Sequence, residues 1–274
     1  MYGCKENESQ EISNLSNKAD LIYLKDYIGQ KNKEQKANNL KIAILDTGIS
    51  DNHKDILNIS KRYNAIEKTN ETFDDNGHGT AIASIIYSEV KDISSTSKPL
   101  LYDVKVLDEK GTATPETIAH AIEWCIDQEV DIINMSFGLI EDKKIVKDAI
   151  KKANDLNIIS VAAAGNTYGL GTDYPAAYDG VISITAINED DKRLPSSAKG
   201  KIDFSVLGED LLSLDEDKEF FRYTGTSFAA AYATGIIAKK LDSGVEKDLI
   251  YGELVSSAVF LGEENIYGHG KLTN

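Results

Sequence analysis

Short apolar segments alternate with amphipathic segments through most of this chain, and this alternation restricts the folds that it can adopt. Apolar runs bounded by turn residues predict buried strands, and the segments between them repeat apolar residues at helical spacing, as at Ile118, Ile122 and Cys125. We therefore predict the α/β fold class, with three layers and a mainly parallel β-sheet that has helices on both faces. The predicted strands are 42–45, 100–107, 130–134, 158–163 and 181–187.

The length of the chain favours one large domain. Its 274 residues can bury a substantial core, but they leave no room for a second domain of similar size. Residues 1–20 are dominated by Lys, Glu, Asn and Ser, a composition that buries too little apolar surface to order itself. We expect a mobile polar tail over 1–20 and one domain over 21–274.

The charge of the chain argues against two classes of partner. A formal net charge of -15 argues against binding to nucleic acid or to an anionic membrane surface, since both are negatively charged. No apolar run approaches the roughly 18 residues that a membrane-spanning helix needs. The two cysteines, Cys4 in a polar segment and Cys125 in an apolar helical pattern, do not suggest a disulfide framework.

Polar residues follow several of the predicted strands. Asp46, Ser136 and Asn166 each lie just beyond an apolar run. Because the carboxyl ends of parallel strands meet at one edge of a sheet, we expect a ligand site where these three residues come together.

Two further segments carry side chains that are suited to catalysis. His78 lies between two glycines, and Ser227 follows Gly-Thr and precedes a run of small residues that reads as a helix. An imidazole can take the proton of a serine hydroxyl, while a carboxylate such as Asp46 holds the other imidazole N–H. Each of these residues, considered alone, has an ordinary structural explanation. The acid would be a turn residue, the histidine a solvated loop residue and the serine a helix N-cap.

The chain order Asp46, His78, Ser227 resembles that of the subtilisin-like serine proteases, the subtilases. The resemblance covers about residues 21–274, and it implies a serine endopeptidase with an Asp-His-Ser triad. Supporting motifs in the family order are 104–107, 133–138, 163–166 and 174–175.

The same resemblance assigns roles to other residues. Asn166 would donate its side-chain amide to the oxyanion, together with the backbone N–H of Ser227. The backbone of Ser136, Phe137 and Gly138 would pair with an extended substrate, as in strand addition. Without the resemblance, an asparagine after a strand and a glycine is a turn residue.

One acidic residue bears on specificity. Asp173, just before Tyr174 and Pro175, corresponds by the resemblance to the base of the primary specificity pocket. A carboxylate there would favour Lys or Arg in the residue before the cut, as the acid in the trypsin pocket does. The alternative is a solvated loop acid.

The remaining histidines give no sign of a metal centre. His53, His120 and His269 form no cluster with metal-ligand spacing, so we predict no metal centre and no required cofactor. Asp55 matches a calcium ligand of the family, but the segment 90–98 differs from the family loop that supplies the other ligands. We therefore do not expect tight calcium binding.

A weaker ion site stays open at a second place in the chain. The backbone carbonyls of Ala176, Tyr178 and Val181 could hold a structural calcium or monovalent ion by resemblance to the family, although carbonyls in a turn are generic ligands.

A small subtilase of this kind resembles the leader-removing proteases of bacterial peptide-maturation pathways, which implies cleavage of a peptide or protein substrate at few sites. We expect a cytoplasmic monomer, with export or lipid attachment at Cys4 as the alternative. Two other functions stay open: a protease-like binding module that has lost turnover, and a serine esterase.

Overall fold

A seven-stranded parallel β-sheet forms the centre of the molecule. The computed structural model describes residues 39–273, except 54–56, 92, 94–98, 216 and 218. In chain order the strands are β1 Lys41–Asp46, β2 Ile59–Asn64, β3 Leu100–Lys105, β4 Ile132–Met135, β5 Ile159–Ala163, β6 Val181–Ile187 and β7 Phe204–Leu207.

The order of the strands brings distant parts of the sequence to one edge. Across the sheet the order is β2-β3-β1-β4-β5-β6-β7, and all neighbours run parallel. The register pairs Asp46 with Lys105 of β3, and Leu45 with Met135 of β4. The ends of β1 and β4 therefore lie side by side, and the residues that follow them share one edge of the sheet.

Helices cover both faces of the sheet. Apolar side chains of the first and fourth helices form one core with the sheet, and those of the second and third form another core on the opposite face. This arrangement confirms the predicted three-layer α/β fold. The helices are α1 His78–Val90, α2 Pro115–Asp127, α3 Lys144–Asp155, α4 Thr226–Asp242, α5 Ile250–Ser257 and α6 Glu264–Tyr267.

Strand β1 shows why the two cores separate. Successive side chains of a strand point to opposite faces, so Ile42 and Ile44 pack beneath α1 and α4, while Ala43 and Leu45 pack beneath α2 and α3. All four side chains are buried. A strand that is buried on both faces reads as a continuous apolar run, which is the pattern that revealed it.

The sequence pattern missed two strands of the sheet and a hairpin. Strand β2 is an edge strand whose Ser60 and Lys61 are exposed, so its sequence lacks a continuous apolar run. Strand β7 has only four residues. The hairpin consists of β8 Leu211–Leu214 and β9 Phe220–Tyr223, which pair antiparallel outside the main sheet.

The predicted bounds were wrong by one or two residues in most strands. The segment 130–134 becomes a strand only from Ile132 and extends to Met135, because Val130 and Asp131 belong to the turn after α2. The segment 100–107 ends as a strand at Lys105. Only 181–187 matches the observed strand in full.

A partly buried ion pair joins the edge strand β2 to β3. Nη1 of Arg62 lies 3.1 Å from Oδ2 of Asp103, and the same oxygen accepts the backbone N–H of Ile49 at 3.2 Å. Burial raises the pKa of Asp103 to about 7, against the opposing effects of the Thr72 hydroxyl and of Arg62. The pair fixes the loop after β1 to the strand beside it.

Candidate active site

Five predicted site residues lie at or just beyond the ends of elements on the carboxyl edge of the sheet. Asp46 is the last residue of β1, Ser136 directly follows β4, and Asn166 lies three residues after β5. His78 opens α1, and Ser227 is the second residue of α4. Two helix N-termini, which carry partial positive charge, are therefore part of this edge.

The carboxylate of Asp46 and the imidazole of His78 form a hydrogen bond. Oδ1 of Asp46 lies 2.7 Å from Nδ1 of His78, and Asp46 is only 1% exposed. Burial alone lowers the pKa of His78, but the charge and hydrogen bond of Asp46, helped by the charge of Asp74, outweigh burial. The net result is a pKa raised above its usual value of 6.5.

Asp74 fixes the turn that enters α1. Its Oδ1 accepts the backbone N–H of Gly77 and the hydroxyl of Thr47, both at 2.8 Å. Its Oδ2 accepts the backbone N–H of Thr80 at 2.9 Å and the Thr80 hydroxyl at 2.5 Å. The carboxylate thus ties the first turn of α1 to the loop after β1. The sequence pattern gave no sign of this residue, because Asp74 lies in a polar loop rather than at the N-cap position, which Gly77 occupies.

Two glycines let α1 approach the loop after β1. Gly48 has a φ of 104°, and a Cβ atom there would lie 2.4 Å from the carbonyl oxygen of Phe73. A Cβ atom on Gly79 would lie 2.2 Å from the carbonyl oxygen of Gly48. Neither position has room for a side chain, so the contact that holds His78 against Asp46 depends on both glycines.

Ser227 and Ser136 exchange hydrogen bonds between α4 and the end of β4. Oγ of Ser227 donates to the carbonyl oxygen of Ser136 at 3.0 Å, and Oγ of Ser136 donates to that of Ser227 at 2.9 Å. Behind them, Nδ2 of Asn134 donates to Oγ of Ser136 at 3.0 Å, and Oδ1 accepts the Thr234 hydroxyl at 2.9 Å. Asn134 and Thr234 are fully buried. The sequence assigned no role to either side chain, because their contact spans 100 residues of chain.

The residue after Ser227 packs against the histidine. The ring centroids of Phe228 and His78 are 5.4 Å apart, and Phe228 also contacts Tyr223 at 4.9 Å. The imidazole therefore lies beside the turn that carries the serine. In this structure the Ser227 hydroxyl donates to Ser136 and not to the imidazole.

Asn166 faces the start of α4 with its side-chain amide. Its Oδ1 accepts both the backbone N–H and the hydroxyl of Thr226, each at 3.3 Å. Because the oxygen is engaged, Nδ2 is the end that is left to donate. The residue that follows Thr226 is Ser227, so this amide is anchored one residue from the predicted nucleophile.

Asp173 lies between the two segments that would flank a substrate. A Cβ atom on Gly138 would lie 2.7 Å from Oδ2 of Asp173, and one on Gly165 would lie 2.3 Å from it. The two glycines therefore leave space for the carboxylate. Leu139 and Tyr174 bridge these segments through two backbone hydrogen bonds of 2.6 and 2.8 Å. Burial raises the pKa of Asp173, which is partly exposed.

An apolar cavity opens beside the predicted substrate-binding segment. Its volume is about 400 Å³, and Leu107, Ile118, Phe137 and Leu139 contribute to its lining. It adjoins Gly138, whose neighbours carry the backbone that would pair with a substrate.

The other singled-out residues have structural contacts. Nε2 of His120 lies 2.7 Å from the hydroxyl of Tyr63, Nε2 of His269 lies 3.3 Å from that of Tyr251, and Cys125 is fully buried. His53 is buried as well. Asp55 and Cys4 lie outside the described residues. Within the residues that the structure describes, no three His, Cys, Asp or Glu side chains form a group that could hold a metal, and no helix is long and apolar enough to cross a bilayer.

Comparisons with known proteins identify the family of this chain. The profile of the subtilase family matches residues 37–270. Subtilisin DY of Bacillus licheniformis is 30% identical over 267 residues, which are 92% of this chain and 93% of that protein. The minor extracellular protease Epr of Bacillus subtilis is 34% identical over 244 residues, 85% of this chain. The chain belongs to the subtilase family of subtilisin-like serine endopeptidases.

Two further matches concern length and fold. The chain spans 37% of the length of Epr and 66% of that of the thermostable alkaline protease of Halalkalibacterium halodurans, to which it is 33% identical. The crystal structure of a lanthipeptide protease superimposes with a TM-score of 0.75 over 85% of each chain, at 22% sequence identity. At that identity the likeness concerns the fold.

The pairing of Asp46 with His78 predicts a titration that can be measured directly. In a Ser227→Ala background, which prevents self-digestion, NMR titration of His78 should give a pKa above 6.5. Asp46→Asn removes the charge but keeps the shape, so burial should then bring the pKa of His78 below 6.5. An unchanged pKa in Asp46→Asn would contradict the stated cause.

Proposed function

We propose that this chain hydrolyses peptide bonds with Ser227 as nucleophile, His78 as general base and Asp46 as the group that orients the imidazole. The observation that carries the proposal is the 2.7 Å hydrogen bond between Asp46 and His78 beside the turn that carries Ser227. A buried carboxylate on Nδ1 fixes the tautomer in which Nε2 is free to accept a proton.

The reaction proceeds by acyl transfer. As Ser227 attacks the scissile carbonyl carbon, its proton passes to Nε2 of His78, and the carbonyl oxygen becomes an oxyanion. His78 then gives the proton to the leaving amine, and a water molecule repeats the sequence to release the acyl group. Asp46 stabilises the imidazolium throughout and stays ionised.

Two donors would stabilise the oxyanion. The backbone N–H of Ser227 lies in the first turn of α4, where it has no partner within the helix, and Nδ2 of Asn166 is held by the anchoring of its oxygen on Thr226. The partial positive charge of the helix N-terminus adds to their effect. Donors that are fixed before the reaction need no reorganisation when the charge develops.

Labelling with a fluorophosphonate tests the nucleophile. Intact mass and peptide mapping should show one stoichiometric adduct on Ser227 in the wild type and none in Ser227→Ala, because only an activated serine reacts rapidly. Ser256, an exposed serine on α5, provides a matched control. Ser256→Ala should leave the labelling of Ser227 unchanged. A well-folded wild type without label would instead favour a binding module that has lost turnover.

The role of Asn166 predicts a kinetic signature. Asn166→Ala should lower kcat about 100- to 1000-fold with KM nearly unchanged, because the donor acts on charge that develops in the transition state. Steady-state kinetics on a peptide substrate give both parameters. A large rise in KM at unchanged kcat would assign Asn166 to substrate binding instead.

The substrate-binding backbone favours an extended peptide. Residues 136–138 follow β4 at the carboxyl edge, and the bridge between Leu139 and Tyr174 holds the opposite wall at a fixed separation. A peptide that lies along 136–138 would add a strand there. Its residue before the cut would enter the space between Gly138 and Gly165, where Asp173 lies.

We infer from Asp173 that the residue before the cut is Lys or Arg. A partly buried carboxylate flanked by two glycines offers a basic side chain a charged partner in surroundings of low polarity. Such a pocket accepts few residue types, which supports restricted processing of a leader or precursor peptide. The fold shared with a lanthipeptide protease agrees with that role.

A peptide library tests this preference. Asp173→Asn should lower kcat/KM for substrates with Lys or Arg before the cut about 10- to 100-fold relative to those with Leu, because a charge-assisted hydrogen bond is lost. Asp179→Asn, an exposed acid nearby, makes the same change of net charge and should leave the preference unchanged. A wild type that shows no basic preference would refute the role of Asp173.

A further inference from the structure

Lys201 places a positive charge beside the end of the segment that carries Asn166 and Asp173. Its Nζ donates to the backbone carbonyl of Val181, the first residue of β6, and lies 2.5 Å from Oδ2 of Asp203. The side chain of Asp203 is 13% exposed, and that of Lys201 is 33% exposed. The ammonium therefore bridges a carbonyl and a largely buried carboxylate, two groups that both attract cations.

The carboxylate that faces Lys201 is held on both of its oxygens. Oδ2 of Asp203 also accepts the backbone N–H of Ser183 at 2.7 Å, and Oδ1 accepts the hydroxyl of Tyr251 at 2.9 Å. These bonds fix the negative charge in place.

The backbone of Lys201 is held equally well. Its carbonyl oxygen accepts the hydroxyls of Ser183 at 2.8 Å and of Thr172 at 3.1 Å. Both the main chain and the ammonium of this residue are therefore anchored. Lys201 therefore has fixed partners, in contrast to the lysine of an exposed surface pair such as Lys192 and Asp190.

Val181 also supplies one of the three carbonyls, with Ala176 and Tyr178, that the sequence left open as a weak ion site. A calcium or monovalent ion at that carbonyl would meet the ammonium of Lys201, and like charges at such distances repel. The residues present therefore do not fit a resident metal ion. We propose that the Lys201 ammonium takes the place of a structural cation, so that the fold of this segment requires no bound ion.

The proposal concerns stability, and it does not depend on the proposed catalytic function. Its consequence for that function is that it would help to hold the segment carrying Asn166 and Asp173 in position. The chain from Ala164 to Val181 carries both Asn166 and Asp173, and its far end is held to Asp203 by a charge that cannot dissociate or be removed by a chelator.

Thermal unfolding in the Ser227→Ala background tests the proposal without interference from self-digestion or from activity. Ionic strength is held constant with choline chloride, and K⁺ or Ca²⁺ is titrated after treatment with a chelator. The wild-type Tm should not change with either ion. Lys201→Ala should lower Tm by about 5 °C, because it leaves a largely buried carboxylate unpaired. Saturating K⁺ or Ca²⁺ should restore part of this loss, since an ion that binds only the folded state stabilises it.

Lys192→Ala is the matched control, since it removes a lysine from an exposed ion pair with Asp190. It should change Tm little and show no response that depends on the ion. If Lys201→Ala does not fold, Lys201→Gln, which retains a long polar side chain, is titrated in the same way.

Three results would overturn the proposal. The first is a wild-type Tm that rises in a saturable way with K⁺ or Ca²⁺, because an ion would then bind in spite of Lys201. The second is a Lys201→Ala variant as stable as the wild type. The third is a destabilised variant that neither ion restores, which would make Lys201 a hydrogen-bond donor rather than a substitute for a cation.

Discussion

The hydrogen bond between Asp46 and His78 is the interaction on which the rest of the site depends. Without it, burial would favour the neutral imidazole, and the ring would have no fixed orientation. The central position of β1 in the sheet makes the carboxylate almost inaccessible to water, so its charge acts on the imidazole with little screening. The parallel sheet thus sets the electrostatic environment of the imidazole as well as the positions of the site residues.

Two polar networks hold the partners of this bond in position. On one side, Asp74 binds the first turn of α1 to the loop after β1. On the other, Thr234 and Asn134 support Ser136, which exchanges hydrogen bonds with Ser227. Each network joins a helix to the end of a strand, so the separation between the imidazole and the serine is set by two rigid elements rather than by loops.

The sequence predicted the centre of the fold better than its periphery. Strands buried on both faces, such as β1 and β6, are visible in the sequence as continuous apolar runs. The edge strand β2 carries exposed polar residues and therefore lacks such a run. The motif residues Asp46, His78 and Ser227 were identifiable because each lies in a distinctive local sequence. Thr234 and Lys201 were not identifiable in this way. Thr234 contacts a side chain that is 100 residues away in sequence, and Lys201 contacts a backbone carbonyl, which every residue has.

The residue that follows Ser227 has a chemical consequence beyond packing. Phe228 covers the imidazole with an aromatic ring that contains no sulfur. Among the residues that the structure describes, the sulfur atoms belong to Met135 and Cys125, both fully buried, and burial raises the pKa of the Cys125 thiol so that little thiolate forms. Within the described part of the chain, the edge that carries Asp46, His78 and Ser227 therefore presents neither a thioether nor a thiolate to peroxide. Oxidative damage at these two sulfur atoms requires that the core first open.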